Sequence, residues 1–341
     1  MVQPQQTVWP AISFAVKMDE MEFVYLAFHR DIDASRKPSS IYLFSILGAM
    51  KQYIYKLLGI SLCFFFVVFL FACVRVYYAD KIDWTLPKEK HILFLGASHP
   101  YHGINDSLLV SAKNISHPSE RYMYTYLKLQ KLLESNSQVD TIFLECSSTD
   151  LWQDTDYKYF DSNEQSYYIP TYWPMFGADE WGVVLRKPKT VISLFATTML
   201  KRDFFNPQVY FESFGGKPTV EERNKIIDLK NVHRSWALDK VQTEYGDYGY
   251  GINYRYLRKI VDLCKRKGVK LYLVGYPLYN ESLTYDHYFC TRMRKKYFYD
   301  VEFLDYVNWK VPNSCRMDAH HLNGKGAILF TNELKNRFHL R

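Results

Sequence analysis

The run His91-Ile92-Leu93-Phe94-Leu95-Gly96-Ala97-Ser98-His99 sets the terms for the whole chain. Four apolar residues lead straight into a glycine, a small residue and a serine. A short, unbroken apolar run reads as a parallel strand buried on both faces, with a sharp turn at its carboxyl end. In open α/β sheets, ligands bind just outside that end. Ser98 is therefore a candidate nucleophile at the mouth of a crevice. The competing reading makes it a cap for the next helix, a common use of serine.

A second stretch bears on that choice: Met317-Asp318-Ala319-His320-His321-Leu322-Asn323-Gly324-Lys325-Gly326-Ala327. A serine hydroxyl is a weak nucleophile at neutral pH and needs a base beside it. Histidine serves if a carboxylate holds its other ring nitrogen. Asp318 and His321, three residues apart in one loop, could supply both partners. The loop follows a strand-like run at 301–305 and precedes a helix-like one at 327–338.

With both stretches in view, the chain resembles the SGNH (GDSL-like) hydrolase superfamily, and within it the membrane-anchored bacterial branch that handles acyl groups on envelope polysaccharides. The resemblance spans roughly residues 90–341 and is firmest at Gly96-Ala97-Ser98-His99 and Asp318-Ala319-His320-His321-Leu322-Asn323. It implies a three-layer, doubly wound, flavodoxin-like parallel sheet. It also implies Ser98 as nucleophile, His321 as base in preference to His320, and Asp318 as the group that orients it. The family's Gly-Asp-Ser is Gly-Ala-Ser here. Its oxyanion-hole glycine falls on Ser119 and its oxyanion asparagine on Thr149. A backbone N–H at Ser98 or Ser119 can still donate, and so can the Thr149 hydroxyl. His99, Asn114 and Trp152 are candidate substrate contacts. No cofactor and no metal are expected; a metal site on Asp318, His320 and His321 would need adjacent loop histidines to converge on one ion.

Strand-like and helix-like segments alternate through this region, as a parallel sheet with crossover helices requires. Strands are expected at 113–117, 140–146, 269–277 and 300–304. A short helix is expected from Gly103, and longer ones at 120–134, 250–267 and 284–296. Lys265-Arg266-Lys267 followed by Gly268 is a helix stop, with cations in the last turn and glycine after it. Residues 151–246 interrupt the rhythm with Trp152, Tyr157, Tyr159, Tyr167, Tyr168, Tyr172, Trp173, Trp181, His233 and Trp236. This insertion is expected to be mostly helical and packed over the crevice. Its aromatics read either as a lid that stacks on sugar rings or as ordinary packing, because Tyr and Trp bury large areas wherever they sit.

Ahead of the domain, residues 57–74 carry no charge. At about 1.5 Å per residue they span roughly 27 Å, close to the hydrocarbon thickness of a bilayer. Lys51 and Lys56 precede them directly, which favours the amino end in the cytoplasm. The expected organisation is a tail at 1–50, a transmembrane signal-anchor at 51–78, a polar linker at 79–90 and the α/β domain at 91–341. An alternative start at Met50 would make residues 50–56 the positive front of an export signal. Leu70-Phe71-Ala72-Cys73 resembles a lipobox; the bulk of Phe71 favours an uncleaved anchor over a lipoprotein at Cys73. The expected place is the bacterial inner membrane, single-pass, with the domain in the periplasm.

The chain has 341 residues, 43 basic and 36 acidic, for a net charge of +7. That balance is mild, and no basic run suits nucleic acid, which is therefore not an expected partner. None of the six cysteines forms a Cys-x-x-Cys pair. Cys290 and Cys315 could pair if the domain is exported. The resemblance, taken with the apolar span, implies an esterase or O-acyltransferase whose partners are an acylated glycan, the membrane and polysaccharide-assembly proteins. The alternative is an inactive protein of the same fold that binds glycan or an assembly partner, motivated by the altered oxyanion positions.

Overall fold

The computed structural model describes residues 40–147, 151, 165–187, 206–228, 251–279 and 295–341. In chain order its elements are α1 (Ser40–Asp80), β1 (Ile92–Leu95), α2 (Ser98–Gly103), β2 (Ala112–Asn114), α3 (Tyr122–Ser135) and β3 (Thr141–Glu145). There follow α4 (Gln165–Tyr172), α5 (Ala178–Val184), α6 (Pro207–Glu212), α7 (Val220–Asn224), α8 (Ile252–Lys267), β4 (Lys270–Gly275), β5 (Glu302–Asp305) and α9 (Gly324–Phe338).

The five strands form one sheet in the order β2-β1-β3-β4-β5, and every pairing is parallel. The chain steps outward from β1 to β2, then returns to the other side of β1. The order therefore reverses between β1 and β3, which is where a doubly wound sheet opens a crevice. Side chains of a strand alternate between faces, and both faces are covered. Leu93, Leu95, Ile142, Leu144, Leu271 and Leu273 pack into one core with α3 and α8. Ile92, Phe94, Phe143 and Val274 pack into the other with Phe330 and Leu334 of α9. On that second face Phe94, Phe143 and Tyr272 occupy one row across β1, β3 and β4. Their rings stack at 4.9 and 5.0 Å between centroids.

The elements end for local reasons. α8 buries Tyr256, Leu257, Ile260, Val261 and Cys264 along one stripe and stops at Gly268, which takes φ +68°. The first helix after β1 differs from expectation: it begins at Ser98, and Asn105 caps a separate turn at Asp106–Leu108. Of the helix expected at 284–296, only its last residues are described. The apolar run at 191–200 lies outside the described residues, as do Thr149, Trp152 and Cys290. Cys315 is a buried free thiol.

The chain divides into units at 1–68 and 69–341. α1 contributes a 34-residue stretch, Leu47–Asp80, long and apolar enough to cross a membrane, with no part of its most apolar window buried. The segment expected as a polar linker is a packed strap. Ile82, Trp84 and Leu86 are all buried, and Trp84 lies against Phe211 and Phe214. Asn136 holds the strap, accepting from Leu86 N–H at 2.6 Å and donating to Trp84 O at 2.7 Å. Arg75 donates to Pro170 O and lies over the rings of Trp173 and Tyr210.

The insertion joins the sheet through a buried ion pair. Lys128 Nζ in α3 sits 2.7 Å from Glu120 Oε2, with both side chains fully buried. It also donates to Ile115 O and Phe214 O. Tyr172 and Thr125 hydroxyls donate to Glu120 as well. An ion pair removed from water needs this many partners to be tolerated.

Candidate active site

Gly96 makes the turn out of β1. It takes φ +136°, and a Cβ there would collide with the Glu145 side chain. Glu145 ends β3 beside it and is buried. One carboxylate oxygen accepts from Ala97 N–H at 2.5 Å, and the other from the His99 ring at Nδ1. This clamp presents Ser98 as the first residue of α2. Ala97 occupies the cap position without a side-chain hydrogen bond, so Ser98 is not the helix cap.

The second loop is a pinched hairpin between β5 and α9. Arg316 and Leu322 form an antiparallel bridge, and Met317 N–H donates to His321 O at 2.9 Å. Buried Arg316 donates to Leu278 O at 3.0 Å, tying the hairpin to the end of β4. Asn323 caps α9 by accepting from Lys325 and Gly326 N–H. Gly326 lies under Cys315 O so closely that no Cβ would fit.

Folding brings Ser98 and His321 together across 223 positions of sequence. His321 Nε2 is 2.8 Å from Ser98 Oγ. His321 Nδ1 is 2.9 Å from both Asp318 carboxylate oxygens. A carboxylate can only accept, so Nδ1 carries the proton and Nε2 is left to accept from Ser98 Oγ–H. Burial works to raise the Asp318 pKa, but the His321 ring and the N–H groups of His320 and His321 outweigh it and hold it below the usual carboxylate range. Asp318 is thus ionised across the physiological range. In His320, next to His321 in the loop, burial, helped by His99 and His321, lowers the pKa to about 4.

The other expected contacts fall differently. Asn114 borders a cleft beside α2, but its amide is engaged within the fold. It donates to Pro100 O and Ile104 O and accepts from Ser116. It braces α2 against β2. The His99 ring is turned to Glu145. Ser119 adopts φ +64° in the turn after β2, a left-handed conformation uncommon outside glycine. Among the described residues, no group of three His, Cys, Asp or Glu could hold a metal ion.

Glu145 and His102 are the residues that the motif reading passed over. Glu145 carried a signal, being a lone carboxylate closing an apolar strand. His102 lies one helical turn after Ser98, so a helix drawn from Ser98 would have placed both on one face.

No family model and no curated protein matches the chain. Among solved structures it is similar to one described as "a putative platelet activating factor from Streptococcus pneumonia", at 11% identity and TM-score 0.37, over 82% of this chain and 98% of that one. A likeness that low bears on neither substrate nor mechanism.

Proposed function

We propose that the chain is a serine-dependent esterase or O-acyltransferase of the SGNH kind, acting on acyl groups of an envelope or extracellular polysaccharide. The observation that carries this reading is the relay from Asp318 through His321 to Ser98, with links of 2.9 and 2.8 Å. In the reaction, Ser98 Oγ attacks the acyl carbonyl while His321 Nε2 takes its proton. His321 returns that proton to the leaving alcohol, and an acyl-Ser98 ester remains. Water then releases the acid, or a sugar hydroxyl takes the acyl group. Asp318 keeps the imidazole in the accepting tautomer and stabilises the imidazolium. The oxyanion falls to backbone donors, with the Ser98 N–H at the start of α2 and the Ser119 N–H as candidates. The left-handed φ at Ser119 supports its candidacy, because local strain concentrates where geometry serves chemistry.

Localisation belongs to the same proposal. The apolar span of α1, with Lys51 and Lys56 on its amino-terminal side, supports a single-pass anchor with the domain outside the cytoplasm. There it would meet acylated glycan and the proteins that assemble it.

The test is labelling of the detergent-solubilised full chain by a fluorophosphonate. Label on Ser98, abolished in Ser98→Ala and weakened in His321→Ala, is the expected result. Folded protein that takes no label would leave a non-catalytic glycan or partner binder in its place. A membrane-impermeant version of the probe, applied to intact spheroplasts, reads the orientation.

A further inference from the structure

The end of α1 runs into the folded domain instead of stopping short of it. Residues 57–74 are uncharged, and Arg75 is the first charge after them. From Phe69 onward the helix belongs to the same unit as the sheet. Arg75 is 2% exposed, and Ala72 and Ala79 on either side of it are half-buried. Spacings of three and four residues put these three on one stripe of the helix. The opposite side is apolar and open, with Leu70, Val74 and Tyr77 all exposed.

Arg75 fixes what stands beside the helix at that level. Its guanidinium donates to Pro170 O and lies 6.0 Å from the centre of the Trp173 ring and 5.3 Å from that of Tyr210. Ala79, one turn on, packs against the core that α3 and α8 share with the sheet. Trp173 opens a short turn at Trp173–Met175 that ends on Phe176. Trp173, Pro174, Met175 and Phe176 are apolar and all half-buried, so each keeps part of its surface open. The polar zone of a bilayer is about 5–8 Å thick on each side of its hydrocarbon core. An arginine directly after an uncharged run of membrane length stands in that zone. A ring 6.0 Å from its head lies in the zone or at its border. Tryptophan is enriched at this depth because its ring is apolar and its N–H polar.

We infer that the turn at 173–176 rests on the lipid surface, in the headgroup zone of the leaflet on the domain's side, with Arg75 as the latch that holds the helical insertion there. The inference rests on reading α1 as a transmembrane anchor and adds a second contact with the bilayer. The partner is phospholipid. A surface latched to the helix where it leaves the hydrocarbon faces the leaflet, and an apolar turn led by a tryptophan suits that boundary. The strap supports the same arrangement. Ile82, Trp84 and Leu86 are buried, so the residues after the helix are packed down and give the domain no free tether on which to swing. The crevice is thereby held at a fixed height above the membrane.

The experiment places the full chain in vesicles of phosphatidylethanolamine and phosphatidylglycerol. The photo-cross-linker p-benzoylphenylalanine stands in turn in place of Met175, of Phe66 within the uncharged run, and of exposed Ile328 in α9 on the other face of the sheet. Mass spectrometry reads phospholipid adducts after irradiation. Adducts are expected at 175 and 66 and none at 328. A second measurement leaves the turn's packing intact: quenching of tryptophan emission by lipids brominated high on the acyl chain. The wild type is quenched, and Trp173→Phe, which keeps a ring under Arg75, loses much of that quenching. Adduct at 66 but none at 175, or equal quenching in wild type and Trp173→Phe, overturns the docking and leaves the anchor standing. A cross-link from 175 to a second copy of the chain in place of lipid overturns it as well. No adduct at 66 overturns the anchor reading itself.

Discussion

Ser98 has its nearest polar partner in a histidine from the far end of the chain, and Asp318 decides which nitrogen of that ring is free to accept. Asp318→Asn would donate an N–H to the ring and reverse the tautomer. Turnover of an activated ester by Asp318→Asn should fall by about four orders of magnitude. Ser119 offers a stability test at the same scale. A non-glycine residue at φ +64° carries a cost of about 1–2 kcal/mol, and the extra freedom of glycine in the unfolded chain offsets about half of that. Ser119→Gly should therefore melt at or slightly above the wild-type temperature, whereas Ser119→Ala gains nothing. The motif reached Ser98, Asp318 and His321 because their spacing is local within two loops. It did not reach His102, whose burial is a property of the assembled fold.

The hairpin at 316–322 and the cap of α9 act as one part. Asn323 accepts from two N–H groups of α9, donates to Lys225 O and Ser314 O, and lies two residues after His321. Asn323→Ala removes the cap, worth about 1 kcal/mol, and strands two carbonyls. The expected loss is about 2 kcal/mol in thermal or denaturant unfolding, together with slower fluorophosphonate labelling because the His321 loop loosens. The strands and the stop of α8 were legible in advance, since an apolar run bounded by turn residues and a Lys-Arg-Lys-Gly ending are local patterns. The strap at residues 82–86 was not. Its alternation of apolar and polar residues is short, and its burial comes from Phe211 and Phe214, more than a hundred positions away.

Three histidines, His102 buried and His117 and His320 half-buried, make the whole molecule sensitive to acid. His102, His117 and His320 each have a pKa lowered to about 4, with burial as the largest cause. In the unfolded chain they titrate near 6.5. Between those values the unfolded state binds more protons, so stability falls as pH falls from about 6.5 to about 4. Asp318, with its depressed pKa, adds to the loss below about pH 4. Melting temperature should drop across that window, and His117→Gln should lessen the slope. The Lys128–Glu120 pair holds the insertion to the sheet and has no exposure to water. Lys128→Met leaves a buried carboxylate with only hydroxyl partners. It should lower the unfolding free energy by about 3–5 kcal/mol, measured by denaturant titration of the full chain.

An apolar span, an alternation of strands and helices, and two loops bearing a candidate nucleophile and a candidate base could all be read from residue order, because each is a pattern within one segment. Distance between segments is another matter. That Ser98 meets His321, that Glu145 clamps the turn, that the Asn114 amide is engaged as a brace, and that α7 walls a cleft beside His102 all follow from packing. Those contacts join residues tens to hundreds of positions apart, and only the closed core brings them within hydrogen-bond reach.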